Sequence, residues 1–201
     1  SVQHIPVGLY RTEFLYLAND QFPGEEEQYE YYLQIAEKFA GTTVVLRTFD
    51  LGADKVRSDS VMPSEDNPAL GWRGIRMMLE MTDVFKTQIR AILRASVNKN
   101  LKILLPMISD ASEVDRACRL IAQVMAELHQ AKVPHDDDIK IGVMIEVPAA
   151  ALTAELIAPK VDFFSIGTND LTQYTLSVDR NSTRVTDLYN PLHPSVIALM
   201  N

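Results

Sequence analysis

Five short apolar runs, separated by longer stretches, constrain the fold of this chain more than any other sequence feature. The runs occupy residues 7–10, 44–46, 101–105, 139–145 and 161–166. They are apolar on both alternating faces, which is typical of buried parallel strands rather than of half-exposed strands. Parallel neighbours need a long crossover connection, usually a helix. The pattern therefore predicts an α/β fold with a parallel sheet of five βα units.

The intervening stretches carry helix signals. We predict helices over residues 25–39, 83–95, 111–128 and 148–158, and a further one that begins at Pro194. In the third, apolar residues recur at spacings of three and four, and Asp110 and Glu113 stand where a capping box requires them. The single cysteine, Cys118, lies on that apolar stripe, so we interpret it as core packing rather than as a reactive thiol.

Composition excludes several classes of protein. The 201 residues are 47% hydrophobic and 23% charged, which is ordinary for one globular domain. Nineteen basic and 27 acidic residues give a net charge of −8, which argues against nucleic acid as a partner. No stretch reaches the roughly 18 apolar residues of a membrane span. One cysteine allows no intramolecular disulfide, so we expect a soluble, cytoplasmic protein.

Charged and polar residues follow four of the five predicted strands directly. Arginine there suits a phosphate or carboxylate, because its planar fork donates two parallel hydrogen bonds. Glutamate and aspartate there suit a hard cation such as Mg²⁺. Because the carboxyl ends of parallel strands meet at one edge of a sheet, we expect these groups to converge. They are Arg11, Thr12 and Glu13; Arg47, Thr48 and Asp50; Glu146; and Asn169 and Asp170.

Each of these features also has a structural interpretation. Arg11 with Glu13, and Arg47 with Asp50, would fit surface ion pairs. The Asn-Asp dipeptide at 169–170 would fit a helix cap before Leu171, a role compatible with metal binding. The histidines have no paired acid or base in the sequence, which favours structural or solvent-facing roles; they are His4, His129, His135 and His193. Convergence at one rim is what favours a functional site.

Four sequence blocks resemble a known family, and together they extend over nearly the whole chain. They read GLYRTEFL at 8–15, LRTFDLGADK at 46–55, GWRGIR at 71–76 and DFFSIGTNDLTQY at 162–174. They resemble the phosphoenolpyruvate (PEP)-binding barrel of PEP-utilising enzymes, closest to enzyme I of the bacterial sugar or nitrogen phosphotransferase systems. The related pyruvate phosphate dikinases and PEP synthases usually carry Cys-Arg-Thr-Glu-His where this chain has Tyr-Arg-Thr-Glu-Phe at 10–14. That departure favours enzyme I.

The resemblance implies roles for particular residues. The phosphoryl group would be gripped by Arg11 and Arg47, and the PEP pocket would be completed by Asn169, Asp170 and Arg180. Mg²⁺ would be ligated by Glu146 and Asp170. Two further basic residues, Lys55 and Arg73, would line the site.

The resemblance also implies a (β/α)8 barrel, which five units leave incomplete. We therefore expect residues 1–201 to be a fragment of the C-terminal PEP-binding barrel domain, with further strands before Ser1 and after Asn201. The proton-donating cysteine of a Cys-Gly-Glu block and the acceptor histidine, on a separate swivelling domain, would both lie outside the chain. The fragment alone is then expected to be inactive. The intact enzyme would be a homodimer that passes the phosphoryl group to a phosphocarrier protein.

Three alternatives remain open at this stage. The first is the PEP-binding barrel of a dikinase or PEP synthase. The second is a lyase of the PEP/pyruvate barrel superfamily that holds an enolate over Mg²⁺, although it would not need three phosphate-gripping arginines plus Lys55. The third is a regulatory module that binds PEP without transferring phosphate.

Overall fold

Every strand of the central sheet runs in the same direction, and the strands lie side by side in the order in which they occur in the chain. The computed structural model describes residues 5–19, 22–52 and 65–201. A parallel sheet with sequential strand order is the arrangement found in the wall of a (β/α)8 barrel. The predicted α/β class and five βα units, an incomplete barrel, are confirmed. The strands are β1 Val7–Arg11, β2 Val44–Arg47, β3 Leu101–Leu105, β4 Lys140–Ile145 and β5 Phe163–Ile166.

Helices separate the strands. The four helices predicted between the strands are present, except that the last of them is divided into two. The helix expected over 148–158 is interrupted at Thr153, whose hydroxyl donates to the Ala149 carbonyl at 2.8 Å. Such a bond competes with the regular helical pattern. The α-helices are α1 Phe14–Asn19, α2 Glu25–Lys38, α3 Ile75–Met78, α4 Thr82–Ala95, α5 Ala111–Gln130, α6 Pro148–Leu152, α7 Ala154–Ile157, α8 Thr168–Leu176 and α9 Pro194–Met200; short 3-10 turns cover Ser96–Asn98, Ala158–Lys160 and Thr186–Leu188.

Helix α5 shows how local sequence sets an element. Its start is fixed by the predicted capping box, in which Asp110 accepts from the Ser112 amide at 2.7 Å and Glu113 accepts from the Asp110 amide at 3.0 Å. Its apolar stripe is buried in the core. Cys118 is half-buried at the edge of that core, and burial raises the pKa of its thiol, which confirms it as a packing residue.

The core lies between the sheet and the helices α2, α4 and α5, with Tyr32, Phe85 and Ile89 among its largest buried side chains. A smaller apolar cluster of Val45, Leu104 and Met144, with Phe163 beside it, is separate from this core.

The expected burial of all five strands is wrong at the sheet edges. The four residues of β2 are buried, whereas Leu9 in β1 is 43% exposed and Ile166 in β5 is 47% exposed. The reason is that each edge strand has a strand neighbour on one side only within the described residues. Among the described residues, every helix is too short or too polar to span a lipid bilayer.

Candidate active site

The first two strands place two arginines side by side. Arg11 ends β1, Arg47 ends β2, and the two residues are register partners in the parallel ladder. The Thr12 hydroxyl donates to the Arg47 carbonyl at 2.8 Å, which ties the two strand ends together. The arginines differ in exposure, because the Arg11 side chain is 52% exposed and that of Arg47 only 6%. Arg11 therefore faces solvent from a fixed backbone position, whereas Arg47 is set into the rim.

Arg47 is held by carboxylates on both sides. Its Nη2 lies 2.5 Å from Glu13 Oε1 and its Nη1 lies 3.2 Å from Asp50 Oδ2. Burial by itself lowers the pKa of Arg47, but the carboxylates of Asp50 and Glu13 outweigh it and raise the pKa above its ordinary value. The guanidinium is therefore charged and fixed in orientation.

The ion pairs continue from Asp50 across the rim. Arg73 donates to both Asp50 oxygens, with Nε 3.0 Å from Oδ1 and Nη2 2.8 Å from Oδ2. The same guanidinium reaches Asp170 Oδ1 at 3.4 Å, and Arg180 Nη1 lies 3.8 Å from Asp170 Oδ2. Charges thus alternate along the rim in the order Glu13, Arg47, Asp50, Arg73, Asp170 and Arg180. We call this set the rim ion-pair chain.

Glu146 is a buried carboxyl next to that chain. Its Oε1 accepts from the Met107 amide at 2.7 Å, and only 1% of the residue is exposed. Burial, and then the nearby carboxylates of Asp50 and Asp170, raise the pKa of Glu146 to about 7. The end of β5 passes close by, since a Cβ on Gly167 would lie 2.7 Å from Glu146 Cβ and Oε2. Glycine at 167 is what permits this approach.

The carboxylates suit a divalent cation in charge and type. Among the described residues, no group of three or more His, Cys, Asp or Glu side chains forms a ready-made metal cage. Mg²⁺ typically takes only one or two protein carboxylates and fills its octahedron with water and substrate phosphate oxygens. A cation beside Glu146 and Asp170 would also offset the repulsion that contributes to the raised pKa of Glu146. The residues present therefore fit Mg²⁺.

Asn169 and Asp170 lie in the first turn of α8, which corrects the expected helix start. The N-cap of α8 is Gly167 and makes no side-chain cap, so the predicted capping role of the Asn-Asp dipeptide is wrong. The Gly167 amide still bonds to the Ile145 carbonyl at 2.9 Å, so the β ladder leads straight into the helix. Asp170 remains favourable there, because a carboxylate in the first turn complements the helix dipole. The Tyr189 hydroxyl lies 3.3 Å from Asn169 Oδ1.

The structure brings together seven of the eight residues predicted for the site. Five of them lie at or just beyond the carboxyl ends of the strands: Arg11, Arg47, Glu146, Asn169 and Asp170. Arg73 and Arg180 reach the same rim through ion pairs with Asp50 and Asp170. Lys55 lies outside the described residues, as does His4. The interpretation of Arg47 with Asp50 as a surface pair is wrong, because their side chains are only 6% and 2% exposed. His193 has a structural role, since its Nδ1 accepts from the Ser195 amide at 3.2 Å and caps α9.

Two residues of the site neighbourhood were not predicted. The Tyr174 hydroxyl accepts from Arg73 Nη1 at 3.1 Å and donates to the Ala69 carbonyl. It stands four residues after Asp170, on the same helix face, so that spacing was an available signal. Gln88 is fully buried on α4 and contacts the loops after β1 and β2. In the sequence, the position of this polar residue on an otherwise apolar helix face was the sign that it has a buried role.

A cavity of about 520 Å³ opens beside Arg73 and Arg180, between Tyr174 and the backbone around Pro68. Its volume falls within the roughly 300–1,000 Å³ typical of small-molecule sites. Two residues of the rim ion-pair chain, Arg73 and Arg180, therefore line it.

Comparison with known proteins identifies the family. Residues 4–201 match the family described as PEP-utilising enzyme, PEP-binding domain. The chain belongs to this family. It is 50% identical over 195 residues to phosphoenolpyruvate-protein phosphotransferase of Priestia megaterium, covering 97% of this chain and 34% of that protein. It is 47% identical over 194 residues to the protein of the same name in Haemophilus influenzae, covering 96% and 34%.

The chain therefore spans about a third of the length of these curated relatives. Both relatives bear the phosphotransferase name, in agreement with the resemblance read from the Tyr-Arg-Thr-Glu-Phe block. Among solved structures, the chain is similar to a malate synthase of Haloferax volcanii, with a TM-score of 0.43 and 11% identity over 96% of this chain and 47% of that one.

Proposed function

We propose that this chain is the PEP-binding part of a phosphotransferase that moves the phosphoryl group of PEP to a histidine on a separate domain, and then to a carrier protein. The observation that carries the proposal is the meeting of Arg11, Arg47 and Arg180 at one rim, beside Glu146 and Asp170. Membership of the PEP-binding family and the name shared by the relatives support it.

The arrangement suits phosphoryl transfer because that reaction depends on positioning and on stabilising charge. The transition state is loose, with charge spread over the phosphoryl oxygens, so fixed cations supply most of what the protein contributes. Arg47 is fixed by Glu13 and Asp50, and Arg11 projects from the neighbouring strand end. We assign these two to the phosphoryl group, and Asn169, Asp170 and Arg180 to the rest of PEP. Arg73, engaged by Asp50 and Asp170, supports them, and Lys55 is assigned the same role from its motif alone.

Glu146 and Asp170 are proposed to hold Mg²⁺, which when bound would act as a Lewis acid toward the enolate left by phosphoryl departure. The protein's part is to keep both carboxylates in place. Met107 holds Glu146 through its amide, and Arg73 and Arg180 flank Asp170. The sequence contains no Cys-Gly-Glu block, and its one cysteine, Cys118, lies half-buried on α5. Protonation of the enolate is therefore assigned to a group outside this chain.

The same proposal extends to setting and partners. A cytoplasmic location is supported by the single cysteine, and the acidic net charge of −8 argues against nucleic acid. A phosphocarrier protein and a homodimeric enzyme would follow from membership of the sugar or nitrogen phosphotransferase system. Residues 1–201 would then lie within one barrel domain.

Titration calorimetry of the full-length protein with PEP and Mg²⁺ tests the assignment of Arg47. Arg47→Ala is expected to weaken binding about 10- to 100-fold, because losing a charge-assisted hydrogen bond costs roughly 1.5–3 kcal/mol. Arg119→Ala is the matched control, since it removes an exposed arginine on α5. Equal affinity of wild type and both variants would remove Arg47 from the phosphate site.

A further inference from the structure

We propose that Gln88 is a positioning residue that holds the loops after β1 and β2 together, and that PEP affinity depends on it. The inference rests on the proposed function, because it takes Arg47 to be a phosphate-binding group. Gln88 lies on α4, in the helical layer behind the sheet, and is fully buried. None of the sequence blocks that identify the family contains it.

The Gln88 amide joins three elements. Its Oε1 accepts from the Phe49 amide at 3.0 Å, in the loop after β2. Its Nε2 donates to the Thr12 hydroxyl at 3.0 Å, directly after β1, and to the Tyr32 hydroxyl of α2 at 3.1 Å. One side chain therefore bridges the ends of two neighbouring strands and the helix that connects them.

The direction of each bond requires an amide at this position. The Thr12 hydroxyl already donates to the Arg47 carbonyl, and the Tyr32 hydroxyl donates to Gln28 Oε1 at 3.1 Å. Both hydroxyls must therefore accept from Gln88, whereas the Phe49 amide must donate to it. Glutamine offers an acceptor and two donors together, whereas ionised glutamate offers acceptors alone.

The two loops that Gln88 joins carry the carboxylates that fix Arg47. Glu13 follows Thr12, and Asp50 follows Phe49, so two of the three bonds of Gln88 are to residues that directly precede a partner of Arg47. The Asp50 amide also donates to Glu13 Oε1 at 3.2 Å, which couples the two loops at the rim. The position of a binding group must be held to within about 0.5 Å for productive contact. Loss of the hydrogen bonds from Gln88 to the two loops should therefore make the position of Arg47 less well defined.

A purely structural role makes a different prediction. Gln88 shares its helix face with Phe85, Ile89 and Ile92, and a buried amide in such surroundings is costly unless it is fully hydrogen-bonded. If the amide only satisfied buried groups, its loss would lower stability without a specific effect on PEP. The experiment must therefore separate affinity from stability.

The test is a double-mutant cycle measured by titration calorimetry of PEP, with Mg²⁺, on the full-length protein. Gln88→Met keeps the length of the side chain and removes its hydrogen bonds. We expect it to weaken PEP binding about tenfold, because removing a residue that supports a ligand-binding residue typically lowers affinity by about this factor. In an Arg47→Ala background the same change should alter affinity by less than about twofold, because the two residues act as one unit.

Asn100→Leu is the matched control. Asn100 is also a buried amide, and its Nδ2 donates to the carbonyls of Ala36 and Phe39 at 2.9 and 3.2 Å. It directly precedes β3, so it stabilises the opposite end of the sheet from Gln88. The melting temperatures of both variants should fall, whereas PEP affinity should fall in Gln88→Met and stay at the wild-type value in Asn100→Leu.

Each outcome decides the inference. Wild-type affinity in folded Gln88→Met, with Arg47→Ala weakened, overturns the role of Gln88 and leaves the proposed function standing. Equal weakening by Gln88→Met in both backgrounds points to general destabilisation and also overturns it. No PEP binding by the wild type overturns the proposed function and this inference together. If Gln88→Met does not fold, Gln88→Leu removes the same hydrogen bonds, leaves the bond from Thr12 to the Arg47 carbonyl intact, and is held to the same expectations.

Discussion

At the residue scale, we expect the buried carboxyl of Glu146 to make the stability of the fold depend on pH. Its pKa is raised from 4.5 to about 7 by burial and by the carboxylates of Asp50 and Asp170. The folded state therefore binds this proton more tightly than the unfolded state does. The resulting stabilisation is complete below pH 4.5 and is lost as the pH rises through about 7.

We expect Glu146→Gln to remove this pH dependence, because glutamine can still accept from the Met107 amide but does not ionise. Urea unfolding in EDTA at pH 5 and pH 8 is the measurement. Relative to the variant, the wild type should lose stability on the order of 3 kcal/mol between these pH values, since one pKa unit corresponds to about 1.4 kcal/mol. Equal changes in wild type and variant would show that Glu146 titrates normally.

Residue types at the site were readable from the sequence, but their burial was not. The arginines and acids after the strands were identified because parallel strands end at one edge. Sequence spacing gives no means of telling a surface pair from a buried one, so both interpretations of Arg47 with Asp50 stay open until the fold is known. Burial there depends on Arg73, which binds Asp50 from a residue 23 positions away. Contacts of that kind arise only when the fold is formed.

At the element scale, the strands, the long helices and the proline-initiated α9 are predictable from the sequence, whereas the short helices α1 and α3 are not. The apolar runs and the capping box of α5 gave their elements directly. Helix α1 has only six residues, with no acidic residue in its first turn and no basic residue in its last, so the sequence does not distinguish its Phe-Leu-Tyr-Leu run from a continued strand. The start of α8 has no side-chain cap to mark it, because its N-cap is Gly167, and the Asn-Asp dipeptide that could have marked it lies inside the first turn.

The junction of β4 and β5 depends on the absence of a side chain at position 167. A Cβ there would lie 2.7 Å from Glu146 Cβ and Oε2 and 3.1 Å from Met144 Cγ. We expect Gly167→Ala to destabilise the protein by about 1–3 kcal/mol, as overpacking typically does. Because Glu146 is the residue displaced, its bond to the Met107 amide should be lost as well.

Gly8→Ala is the control for this prediction. Gly8 lies in β1, and a Cβ there meets nothing within 4 Å, so the substitution should be neutral or slightly stabilising. Urea unfolding of the three proteins at pH 7 gives the comparison. If the two variants are equally stable, the contact between Gly167 and Glu146 is not tight enough to constrain the junction.

At the scale of the whole molecule, the two edges of the sheet differ from its centre. Leu9 and Phe14 near β1, and Phe164 and Ile166 in β5, are between 39% and 65% exposed. Exposed apolar side chains beside unpaired strand edges favour pairing with another chain. The proposed active site, in contrast, is built from residues of both halves of the sheet, since Arg73 links Asp50 to Asp170.

Because the proposed site is built from residues of both halves of the sheet, the last prediction concerns the 201-residue chain produced by itself. If the rim ion-pair chain with Arg11 and Glu146 suffices for binding, the folded chain should bind PEP in the presence of Mg²⁺. It should release no pyruvate, because its sequence contains neither a Cys-Gly-Glu block to supply the proton nor a Ser-His stretch of the kind that carries the phosphoryl-accepting histidine. Calorimetry, a pyruvate assay and circular dichroism on the same sample are the measurements. Pyruvate release above the blank would contradict the prediction, because it would mean that some group within these residues both accepts the phosphoryl group and allows the enolate to be protonated.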